Sequence, residues 1–134
     1  MNKKLKPNSV GPHEGRELAL MLAGVKPLSM FVEPVDCDFE LFPEEEFDKL
    51  VLQQKLKKRV SIEKSGKTDQ PDMRRVLYSL PGDEWRIDAM ILVQQLYATL
   101  LPGWRPDLER VIGLLLGYER VGIESFVKWI QSSQ

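Results

Sequence analysis

The chain has 134 residues, 43% of them hydrophobic and 29% charged, and a formal net charge of −1. That length suits one domain and that balance excludes a disordered chain, while so small a net charge supplies no global field for drawing in nucleic acid. No apolar run approaches the roughly 18 residues that a bilayer span needs, the stretch from Met1 to Lys6 leads into Pro7 and Gly11 instead of a signal-peptide core, and Cys37 is the single cysteine. An internal disulfide and a Cys-rich zinc site are therefore excluded, no cofactor is implied, and a cytoplasmic protein of bacterial style is the expectation.

Residues 1–12 carry Lys, Pro, Asn and Gly with little apolar content and read as a flexible arm, leaving 13–134 as one α+β domain. A first helix is predicted from Glu14 to Ala23, with Leu18, Met21 and Leu22 at helical spacing and Gly24 as its left-handed cap. Leu28, Met30 and Val32 alternate with Ser29, Phe31 and Glu33 between Pro27 and Pro34, which predicts a strand. Pro43 followed by Glu44, Glu45 and Glu46 suits the positive end of a helix whose apolar stripe is Phe47, Leu50 and Val51.

Two further runs alternate, one with Val60 and Ile62 and one with Val76, Tyr78 and Leu80, on either side of the polar loop Ser65 to Asp72. They predict a long-looped antiparallel hairpin. Pro81-Gly82-Asp83 then starts the strongest helix, Glu84 to Leu101, so apolar around its circumference that contact on more than one side is expected. Pro106 opens another helix that closes at Gly117, and a last one covers about Val121 to Gln131. The expected fold is α+β: about three antiparallel strands packed against a helical layer of four to five helices, with one sheet face covered by the central helix and its neighbours. Trp85, Trp104 and Trp129 read as packing residues, Trp104 standing out because a large ring on a turn can anchor a partner.

The charge is unevenly distributed. From Glu33 to Asp48 eight residues are acidic and none is basic, whereas from Lys49 to Arg75 nine basic residues stand against three acidic ones. Such neighbouring segments can face each other within the monomer, meet across two copies, or recruit an oppositely charged partner. The candidate binding residues are Glu44, Glu45 and Glu46 on the acidic side, Lys57, Lys58, Arg59, Arg74 and Arg75 on the basic hairpin, and Trp104.

Catalytic patterns are scarce: GxSxG, P-loop, GxGxxG and HExxH are all missing, which weakens an enzyme reading. His13 is the only imidazole, with Glu14 and Glu17 near enough in sequence to orient it. Asp36-Cys37-Asp38 has neither the positive surroundings of a reactive thiol nor the spacing of a calcium loop. The leading expectation is a non-enzymatic domain that binds protein, or itself, through charged surfaces. The alternatives are nucleic-acid binding by the hairpin 55–75, and a small-molecule binder or enzyme with a pocket under the central helix.

Overall fold

The computed structural model describes residue 13, residues 15–99 and residues 103–133. The arm expected over residues 1–12, Glu14, and the end of the long helix at Leu100 and Leu101 lie outside the described residues. The elements are α1 (Glu17–Leu22), β1 (Leu28–Pro34), α2 (Glu44–Leu52), β2 (Lys57–Glu63), β3 (Met73–Ser79), α3 (Glu84–Thr99), α4 (Pro106–Leu115) and α5 (Arg120–Ser133). Among the described residues no helix is long and apolar enough to cross a membrane.

The strands form one antiparallel sheet in the order β1-β3-β2, so the predicted hairpin is present and its second strand is central. The α+β class follows directly, but the expectation that helices cover one sheet face is corrected to both. Val76, Leu77 and Tyr78 are consecutive and all buried, and consecutive strand residues point to opposite faces. On one face Val76 and Tyr78 pack with Met21, Phe42, Phe47 and Leu56, bringing in α1 and α2. On the other, Leu77 and Leu28 pack with Ile87, Met90, Val93 and Leu115, bringing in α3 and α4. The first of these cores is largely aromatic: Phe47 stacks on Tyr78 with centroids 4.6 Å apart, and Phe31 stacks on Phe42 at 4.2 Å. Each large side chain buried this way contributes roughly 1.5–3 kcal/mol.

α3 turns Ile87, Met90 and Val93 to the sheet, a single inward stripe at helical spacing. As expected it is contacted on more than one side, by the sheet and by α4, where the Tyr97 hydroxyl donates to Glu109 Oε1 at 3.0 Å. Its outer side is uncovered among the described residues, with Trp85, Leu92 and Leu96 55%, 56% and 44% exposed. Trp85 is thus a surface residue, with the Arg86 guanidinium 4.7 Å from its ring centroid.

Two helix ends determine where the chain's other distinctive cluster forms. α1 stops in a Schellman turn, with Gly24 N–H donating to Met21 O at 2.9 Å and Val25 N–H to Leu20 O at 3.0 Å. α4 stops in the same way, with Gly117 N–H donating to Leu114 O at 3.1 Å and Tyr118 N–H to Gly113 O at 3.0 Å. The two turns press together. Gly117 has φ +83°, and a Cβ there would lie 2.4 Å from Pro27 Cδ. Only glycine satisfies both the left-handed backbone and this approach. Gly117→Ala is expected to cost about 1–3 kcal/mol, read as a lowered urea midpoint; an unchanged midpoint would show that the turns are not in contact.

Candidate functional site

The acidic and basic segments face each other within the monomer over part of their length. Arg74 Nη1 donates to Glu33 Oε1 at 2.7 Å and to Glu44 Oε1 at 2.8 Å, and its Nη2 pairs with Glu44 Oε2. Lys58 Nζ donates to Glu44 Oε2 at 2.9 Å and to Asp48 Oδ2 at 3.0 Å, while the Tyr78 hydroxyl donates to Asp48 Oδ1 at 2.9 Å. This network closes the aromatic core at its rim, joining α2 to all three strands. The Arg74 hydrogen bond, aided by Lys58, holds the Glu44 carboxyl down to about 2. Burial, with Asp48 as hydrogen-bond acceptor, pushes the Tyr78 hydroxyl above its ordinary range.

The remaining sequence-predicted site residues do not join them. Strand alternation places Lys58 and Arg74 on the α2 side of the sheet, and Lys57, Arg59 and Arg75 on the α3 side. Arg59 pairs with Asp88 of α3, and Arg75 Nη1 lies 2.7 Å from Glu63 Oε2. The hairpin therefore has no single basic face. Glu45, Glu46 and Lys57 are exposed. Trp104 is half-buried in the turn before α4, and its buried Nε1 has no hydrogen-bond partner among the described residues. Under the second half of α3 there is a shallow groove of about 270 Å³ lined by Glu63, Arg75, Ile91, Gln94 and Ala98. No group of three or more His, Cys, Asp or Glu suited to a metal ion occurs among the described residues.

A different cluster, which the sequence reading touched only through His13, lies at the β1 edge where the two Schellman turns meet. Lys26, between the α1 turn and Pro27, is 2% exposed. Its ammonium donates to Leu116 O at 2.9 Å and to His13 Nδ1 at 3.0 Å. Leu116 is the C-cap of α4, so the first of these bonds satisfies a helix-terminal carbonyl. An ammonium can only donate, so His13 accepts at Nδ1 and, when neutral, carries its proton on Nε2. His13 stacks on Tyr118, with centroids 4.3 Å apart and an angle of 20°, and Lys26 Nζ sits 5.0 Å from the Tyr118 centroid.

This corrects the expected orientation of His13: the residue contacting its ring nitrogen is Lys26, not Glu17, and Glu14 lies outside the described residues. Burial, reinforced by Lys26 and Arg16, lowers His13 to about 4, which keeps it neutral near pH 7. Burial also lowers Lys26 to about 8, with Glu17 pulling the other way. No carboxylate lies within ion-pair distance of Lys26 among the described residues.

Two pockets adjoin the cluster. One, of about 380 Å³, is lined by Lys26, Glu17, Ser29 and Tyr118 together with apolar Met30, Phe31, Leu41 and Leu116. The other, of about 330 Å³, is lined by His13, Arg16, Glu119 and the first turn of α5. No protein-family model matches the chain, and comparison with curated proteins and with solved structures finds no match either.

The depressed Glu44 carboxyl makes the network acid-sensitive. Its folded pKa of about 2 lies below the ordinary 4.5, so its stabilisation is complete above the higher value and is lost as pH falls towards the lower one. Glu44→Gln is expected to cost about 1–3 kcal/mol at neutral pH and to flatten the fall in stability over that acid window. Chemical denaturation across pH reads both effects, and an acid slope identical to that of the unaltered chain would contradict the assignment.

Proposed function

We propose that the chain is a small-molecule-binding protein whose site is the pocket at the β1 edge backed by Lys26. One observation carries the reading: a lysine 2% exposed, lining a pocket, with a neutral imidazole and a carbonyl as its hydrogen-bond partners and no carboxylate paired to it among the described residues. Desolvating an ammonium costs several kcal/mol, and buried charges are ordinarily paired. Capping α4 does not require that cost, because a surface cation near the last turn serves equally well. A ligand supplying the missing partner accounts for the burial.

The reading based on charged surfaces is supported less. Glu44, Lys58 and Arg74 are occupied with one another, and a partner recruiting them would have to break those pairs. A thermal-shift screen of small acids, phosphates, amines and neutral compounds tests the proposal through stabilisation by mass action. At least one class is expected to raise the melting temperature of the unaltered chain and to do so far less for Lys26→Met; a flat screen would count against a ligand site.

A second reading, protein contact, rests on a different observation, the outward stripe of Trp85, Leu92 and Leu96 on α3. Uncovered apolar residues repeated along one helix face suit burial against another chain, and a second copy is the simplest occupant. Sedimentation at rising concentration should then reveal a dimer that Leu92→Arg dissociates. A strictly monomeric chain at high micromolar concentration would remove this reading.

A further inference from the structure

The pocket backed by Lys26 also carries information about its occupant, on the reading that it binds a small molecule. Two polar side chains on its lining are buried and short of partners. Lys26 spends two of its three N–H bonds on His13 Nδ1 and Leu116 O. Ser29, 1% exposed, donates its hydroxyl to the thioether of Met21 at 3.1 Å, a weak acceptor. An anionic oxygen is the complement to an ammonium with an uncommitted proton and a hydroxyl with a poor one.

The rest of the lining narrows the class. Glu17, the one carboxylate on it among the described residues, is not within ion-pair distance of Lys26 and would repel a second negative charge on the ligand. Met30, Phe31, Leu41 and Leu116 make part of the lining apolar beside its polar part, with Leu41 exposed. A volume of about 380 Å³ accommodates a compact molecule. We infer that the ligand is a small monocarboxylate with an apolar body, its carboxylate held by Lys26 and the Ser29 hydroxyl and its body against Met30, Phe31 and Leu41.

The experiment compares phenylacetate and isovalerate with phenylacetamide, succinate and inorganic phosphate, following backbone and Lys26 side-chain resonances of the full chain by NMR. The monocarboxylates should shift signals around Lys26, Ser29 and Tyr118 saturably, with phenylacetamide, succinate and phosphate weaker by about tenfold or more. This acid-against-amide comparison uses the unaltered chain and needs no variant to fold. Ser29→Ala, a small change at a buried position, should weaken phenylacetate several-fold without abolishing binding. If phosphate, succinate or the amide binds there as well as the acids, the inference fails while the pocket remains a ligand site. If none of the five probes shifts those resonances and the broader thermal-shift screen is also flat, the ligand-site reading fails with it.

Discussion

A buried ammonium is the constraint around which one end of this molecule is arranged. Lys26 can sit beneath the surface only because α1 ends in a turn that delivers it, α4 ends in a turn that offers Leu116 O, and Gly117 leaves room for Pro27 to close the gap. The same closure sets Tyr118 against His13, so that a ring pair flanks the amine. Low polarity strengthens these contacts and also makes an incompletely paired charge expensive, so the arrangement is either satisfied from outside or held at a cost. Arg74, Glu44, Lys58, Asp48 and Tyr78, by contrast, form a closed set.

The sheet supplies the rigid frame for this. β3 is hydrogen-bonded on both sides and buried on both faces, with Val76 and Tyr78 anchoring α1 and α2 while Leu77 anchors α3 and α4. β1 is an edge strand, and the Lys26 pocket opens along it through Ser29, Met30 and Phe31. A ligand there would touch residues of both cores: Phe31 packs against the aromatic one and Met30 against the aliphatic one. Occupancy of the pocket would therefore be felt on both sides of the sheet.

The elements were legible because hydrophobic period and punctuation agreed. Gly24, Pro34, Pro43, Pro81-Gly82 and Gly117 bracket runs whose spacing is plainly helical or alternating. The second helical layer is not legible in the alternation of Val76, Tyr78 and Leu80, which passes over Leu77, whose burial needs cover on the other side. Proximity in sequence made the basic hairpin look like a patch, whereas alternation divides it between two faces. The Lys26 cluster had no local pattern to find. His13, Lys26 and Tyr118 are far apart in the chain, and a lysine held between a helix cap and a proline looks like any loop residue until two turns fold over it.

Lys26 is desolvated and has no carboxylate within ion-pair distance among the described residues. Its side-chain nitrogen and adjacent carbon resonances, followed by NMR across alkaline pH, test this directly. The account predicts a midpoint near 8, displaced from the ordinary 10.5 by burial. A midpoint at or above the ordinary value would mean that the ammonium is solvated or already paired, and would contradict it.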